Sequence, residues 1–244
     1  MTDDELIAWN RRGFIPGPEE SEESFRARTS HTVNTIPHEH LQWPQEQLEE
    51  VFDFKPMSLD VVYSNKGLSL WEGAACWIDN GQAHLQLRES FRKGSYLGYR
   101  REEVLAHEAV HAARLMFHEP QNEEFFAYAT APKRWRQVLG PLVRRPWEPW
   151  LFLTTFALGM FFEWALVGAV CVLTAGFWRL IAQHRRRNRA AQTLMKTLHH
   201  PKTVRAVLFR MTDAEIRTLA KGRMPPADNT LRWQLLRAAY FNPR

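Results

Sequence analysis

Residues 105–115, LAHEAVHAARL, place His107 and His111 four positions apart with Glu108 directly after the first. On a helix, positions i and i+4 share one face a turn apart, so both imidazoles can aim a ring nitrogen at one ion. Glu108 stands beside that face, where a carboxylate can take a proton from a metal-activated water and return it to a leaving amine. Two neutral imidazoles and one carboxylate leave a coordination position open for water. That is the donor set of catalytic rather than structural zinc, so zinc is the expected cofactor.

The third ligand must come from further along. His118 lies seven residues after His111, about 10 Å away along an unbroken helix, too far to chelate the same ion. Glu119 shares that difficulty less severely, because the chain turns at Pro120. Glu123 and Glu124 are better placed, since the FHEPQN turn can fold a following helix back onto the first. Glu124 is preferred of the two: Ala127 follows it by three residues, and a small side chain there lets two helices approach closely.

An HExxH with a downstream Glu-x-x-Ala resembles the gluzincin class of zinc metallopeptidases, over residues 82–130 or about a fifth of the chain. The short interval from His111 to Glu124 is similar to that of the compact ImmA/IrrE-like peptidases. The resemblance implies His107, His111 and Glu124 as ligands, Glu108 as general base and a peptide or protein as substrate. Where several gluzincins carry an Asp that holds the first histidine, this chain has Tyr128. It stands either as an oxyanion donor or as an aromatic packed beside Phe125 and Phe126. The resemblance also implies that the strand before the motif helix, AHLQLRES, is the edge along which an extended peptide lies by main-chain pairing.

Those residues need a scaffold. The acidic start MTDDELIAW has no basic stretch followed by an apolar one, so no signal peptide is expected. Helices are expected in EESEESFRARTSH and from Pro44 through QEQLEEVF. Between residues 58 and 90, β-branched and aromatic runs broken by Asn65-Lys66-Gly67 and Asp79-Asn80-Gly81 predict a small antiparallel sheet ending in a strand at 83–88. Helical spacing begins at Arg101 and stops near Pro120, and Asn122 is a good N-cap for the next helix. Beyond residue 182 the chain reads as helical, broken by Pro201, with a capping box at Thr212 and Glu215 and a stop at Gly222.

Residues 149–178 hold a single charge, Glu163. As one helix these thirty residues would extend about 45 Å, beyond the ~30 Å hydrocarbon core, and would leave Glu163 near mid-bilayer. A transmembrane or re-entrant hairpin, with arms at about 149–162 and 164–181, puts Glu163 and Trp164 at the far interface, where the tip has neither Gly nor Pro. It also keeps both basic flanks on the cytoplasmic side: Lys133, Arg134, Arg136, Arg144 and Arg145 before it, Arg179, Arg185, Arg186, Arg187 and Arg189 after it. The run Arg185, Arg186, Arg187 is expected to meet anionic lipid headgroups. It lacks the interleaved aromatics of a nucleic-acid surface, so nucleic acid is not an expected partner.

The net charge of +5 thus reads as a topology signal, and two cysteines, Cys76 and Cys171, exclude a disulfide-stapled scaffold. A mean hydropathy of −0.42 averages a hydrophilic domain with an apolar insert. The expected fold is α+β, mostly helical with the small sheet before the zinc helix. Its expected segments are an N-terminal helical part (1–55), a zincin-like domain (56–146), a membrane hairpin (147–182) and a basic helical tail (183–244). The expected function is a zinc metallopeptidase anchored in the inner membrane with its site in the cytoplasm; the alternative is a non-catalytic membrane adaptor with a structural or vestigial metal site.

Overall fold

The computed structural model describes residues 1–33, 43–56, 60–69, 72–79, 82–143 and 147–242. The fold is mostly helical with a small sheet, α+β in class. Three helices open the chain: α1 (Asp3–Arg11), α2 (Glu22–Val33) and α3 (Gln45–Phe52). A reciprocal Thr2–Glu5 capping box starts α1. The last turn of α3 closes on Asp53 in the left-handed conformation, φ 61°.

The sheet contains β1 (Asp60–Tyr63), β2 (Ala74–Asp79) and β3 (Gln82–Leu87) in the order β1-β3-β2. It is mixed, which corrects the antiparallel expectation: β2 pairs antiparallel with β3, while β1 runs parallel to it. The Asn65-Lys66-Gly67 turn does not join two neighbouring strands. It lies in a crossover that carries the chain past β3, and Arg88 pins that crossover by donating to the carbonyls of Ser69 (2.5 Å) and Glu72 (3.0 Å). Only the second turn, at Asp79-Asn80-Gly81, connects paired strands; Asn80 and Gly81 lie outside the described residues. A consequence for the site follows at once. β3 is the central strand, so its main chain is already paired on both sides, and among the described residues β2, which touches the motif helix, is an edge strand.

A two-residue ladder, β4 (Ser95–Tyr96) and β5 (Tyr99–Arg100), leads directly into α4 (Arg101–Ala113). After a turn come α5 (Glu123–Ala129) and α6 (Arg134–Leu139), then a single 3-10 turn at Gly140–Leu142. α4 ends at Ala113, several residues before the expected stop, with Arg114 as its C-cap and its side chain turned to Glu123. Asn122 does occupy the N-cap of α5, but its amide makes no cap bond; it donates instead to Asp213 at 2.6 Å.

The apolar stretch folds as a helical hairpin. Its first arm, α7 (Trp147–Leu158), spans about 18 Å and buries none of its residues. The second, α8 (Glu163–Leu198), is one continuous helix of 36 residues, about 54 Å long. Among the described residues α8 is the one helix long and apolar enough to cross a membrane. The reversal occupies residues 159–162, so the first arm ends four residues earlier than expected and Glu163 opens α8. Gly159 is required there: a Cβ would fall 2.3 Å from the Leu166 side chain. At the base, Arg179 grips both Glu148 oxygens (2.8 and 2.9 Å) and the Leu142 carbonyl (2.9 Å).

The outer half of α8 packs on α9 (Pro201–Phe209) and α10 (Asp213–Ala220), and α11 (Leu231–Leu236) runs on into a π-helical turn to Phe241. The expected breaks are present: α9 begins at Pro201, α10 carries the Thr212–Glu215 capping box, and Gly222 takes φ +77° after it. Residues from the N-terminal helices, the sheet, α4, α5 and the C-terminal helices belong to one apolar core, in which Phe52 stacks on Phe209 and both meet Phe126 edge to face.

Candidate metal centre

α4 buries Leu105, Ala106, Ala109 and Val110 against the core, which leaves the opposite face, with His107 and His111, on the cleft. The helical spacing does what it must: the two Nε2 atoms lie 3.2 Å apart. Glu124 reaches both from α5, with carboxylate oxygens 3.6 Å from His107 Nε2 and 3.7 Å from His111 Nε2. One ligand atom from each of the three lies within 4.8 Å of the others, a separation that a single ion between them bridges.

Glu123 takes a different part. Its Oε1 lies 3.3 Å from His111 Nδ1, behind the ring, and its Oε2 accepts from Arg114 Nε at 2.8 Å. A carboxylate on the far nitrogen fixes tautomer and ring direction in metal-binding histidines. Arg114, 1 % exposed, is itself anchored by donating to the carbonyls of Phe209 and Met211. Spacing alone did not reveal this row. Its signals were small: an acidic residue next to the expected ligand and an arginine three positions after His111.

The other candidates separate cleanly. His118 is exposed and Glu119 is occupied by the Asp213 main chain at 2.6 Å, so neither joins the cluster. Tyr128 sets its ring edge-on to His107, centroids 4.7 Å apart, and lines the cleft. Phe125 and Phe126 are buried in the interior, while Tyr128 is only half-buried. Gly140 makes room for that ring: a Cβ there would lie 2.2 Å from Tyr128 Cδ1.

Electrostatics follow from burial and from the crowd of carboxylates. Burial, helped by His111, holds His107 well below the usual histidine range. His111 moves the other way, to about 9; burial opposes this, but the Glu123 hydrogen bond and the charges of Glu108 and Glu124 outweigh it. Burial, with Glu124 nearby, lifts Glu108 to about 7. Burial and Glu124 also raise the Tyr128 phenol. Glu123 lies below the carboxylate range despite its burial, because of Arg114 and His111.

The cleft, about 840 Å³, is bordered on one side by Ala74 and Cys76 of β2 and on another by Tyr96, Leu97 and Tyr99. Burial and the two carboxylates Glu108 and Glu123 push the Cys76 thiol up to about 12, so it is no nucleophile. The base of α4 is clamped to α6 by a buried ion pair in which Arg136 Nη1 donates to both Glu103 oxygens at 2.6 Å.

Two members of the basic flanks therefore have interior duties. Arg136 is held by Glu103, and Arg187, half-buried, lies over the rings of Phe125 and Phe126 at 5.2 and 5.0 Å. Burial accounts for the fall of the Arg187 guanidinium to about 10. Lys133, Arg134, Arg185 and Arg189 are exposed, while Arg144 and Arg145 lie outside the described residues. Comparison of the chain with protein-family models, with curated proteins and with solved structures finds no match.

Proposed function

We propose that this chain is a membrane-anchored zinc-dependent peptidase of the gluzincin kind. The observation that carries the reading is the convergence of His107, His111 and Glu124 within 4.8 Å, beside Glu108 and in a cleft lined by Ala74 and Cys76 of the edge strand β2. The donor set, two imidazoles and a carboxylate, fits zinc and leaves room for substrate. Bound there, zinc would supply Lewis acidity toward water and the scissile carbonyl.

The chain's own groups do the rest. Glu108 accepts the proton of the attacking water and hands it to the departing nitrogen. Glu123, held by Arg114, keeps His111 pointed at the ion. An extended peptide adds to the edge of β2, which takes over the part expected of the central strand β3. Tyr128, beside His107, is positioned to donate to a developing oxyanion. The apolar arm of α8 crosses the inner membrane, and the exposed Lys133, Arg134, Arg185 and Arg189 keep the site on the cytoplasmic side among anionic headgroups.

Glu108→Gln tests the reading: the variant is expected to keep its zinc and lose peptide hydrolysis, and a wild-type protein purified without stoichiometric zinc overturns it. The non-catalytic adaptor is favoured by one observation, an aromatic ring rather than a carboxylate beside His107. Under that reading the wild-type protein holds zinc and hydrolyses no peptide.

A further inference from the structure

The segment between the site and the hairpin exposes apolar side chains that the fold leaves uncovered. Trp135 and Val138 of α6 are 56 % and 44 % exposed, and Leu139 and Val143 are exposed to a similar degree. Beside them stands Leu97, at the two-residue turn of the β4–β5 hairpin, 62 % exposed with φ 47°. Arg136 ties that turn to α6 through the Gly98 carbonyl at 3.0 Å. A leucine in a left-handed position, turned outward, is a costly choice unless something apolar meets it.

The long helix gives the depth of this face. Arg179 of α8 bonds the Leu142 carbonyl, and His184, five residues further on, bonds the Val138 carbonyl at 2.9 Å. Five residues of helix are about 7.5 Å. Trp178, 73 % exposed, and Arg179 mark the membrane boundary on α8, so the Val138 end of α6 lies at the outer limit of the headgroup layer, about 5–7.5 Å per leaflet. Lys133 and Arg134, both exposed, supply cationic charge at the start of the same segment.

We propose that this face, formed by α6, the turn after it and the Leu97 tip, sits in the headgroup zone of an anionic bilayer. The proposal rests on the membrane reading of α8. Leu97 and Val143 also line the catalytic cleft, so the cleft opens onto the bilayer surface and takes a peptide stretch held close to it. The substrate class is then a polypeptide that is itself anchored in, or lying on, the membrane.

The test compares three single-cysteine forms of the full chain, each carrying Cys76→Ser and a fluorophore at one thiol: native Cys171, Val138→Cys with Cys171→Ser, and Lys221→Cys with Cys171→Ser. Each is reconstituted into phosphatidylcholine–phosphatidylglycerol vesicles containing nitroxide lipids. Lys221 follows α10, which is bonded to α8 at Thr193, about 21 Å beyond Arg179. About a twofold loss of intensity at 138 with shallow nitroxides, and at 171 with deep ones, is expected, with none at 221. Quenching at 171 but not at 138 overturns the proposal and leaves the anchor intact. No quenching at 171 removes the membrane reading and the proposal with it. A probe at 138 shielded from aqueous iodide yet untouched by the lipids means that a protein or a second copy covers the face, which also overturns it, as does equal quenching at 138 and 221.

Discussion

His111, Glu123 and Arg114 pass from one polar partner to the next in a row that runs from the half-buried cleft to the buried Arg114, whereas α7 buries none of its residues and turns Trp150, Leu153 and Phe156 outward. In the first region each side chain is placed by a partner, and a buried charge left alone would be costly. In the second, α7 packs chiefly on the neighbouring arm α8 and leaves Leu153 and Phe156 about half exposed, so the surroundings must meet that apolar surface. The site is thus fixed by pairing and the hairpin by solvent. Substitutions in the two regions should fail in different ways.

The largest effect is expected at the chemistry. Glu108→Gln should lower peptide hydrolysis by about a thousandfold with zinc content unchanged, measured by steady-state assay and metal analysis. Loss of zinc from that variant would instead make Glu108 part of the cage. Next comes the clamp under α4: Glu103→Ala leaves Arg136 buried without its partner and should cost about 3 kcal/mol in chemical denaturation. Glu123→Gln keeps the shape but weakens the hold on His111, for an expected loss of about tenfold to a hundredfold in zinc affinity by competition with a chelator. Glu124→Gln should lose the metal more completely, and equal effects at 123 and 124 would erase the distinction between ligand and support.

The smallest effect belongs to the hairpin. Met160 and Phe161 at the reversal are each 80 % exposed, so replacing both by Ser should leave the denaturation free energy in detergent within about 0.5 kcal/mol. A shift as large as that of Glu103→Ala would mean the tip packs on the fold, and the contrast between the regions would collapse.

What could be read from the sequence was whatever is local. The i, i+4 histidines, the Thr212–Glu215 box, the stop at Gly222 and the break at Pro201 all act within one or two turns. The preference for Glu124 over Glu123 also rested on a short-range argument, the small Ala127. Long-range partners stayed hidden. Arg114 meets Phe209, Asn122 meets Asp213, and Arg136 meets Glu103, pairs that no periodicity marks. The parallel placement of β1 was hidden for a similar reason: Arg88 holds the crossover from a distance, and turn chemistry alone cannot tell a hairpin from a crossover. Arg136 shows that an arginine counted toward a basic flank can also be a buried structural group, a role that charge alone does not mark.

The two ends of the chain are knitted together. Arg210 donates to Asn10 at 2.6 Å, and Asn10 donates to the Tyr240 hydroxyl at 3.0 Å, so α1 acquires its buried partners only from residues some two hundred positions later. During synthesis the apolar arms leave the ribosome well before Tyr240 does. On the membrane reading, insertion therefore comes first and closure of the core second. Under the proposed function, the chain reaches the bilayer as an unfinished precursor, and the His107, His111 and Glu124 cluster is completed only there.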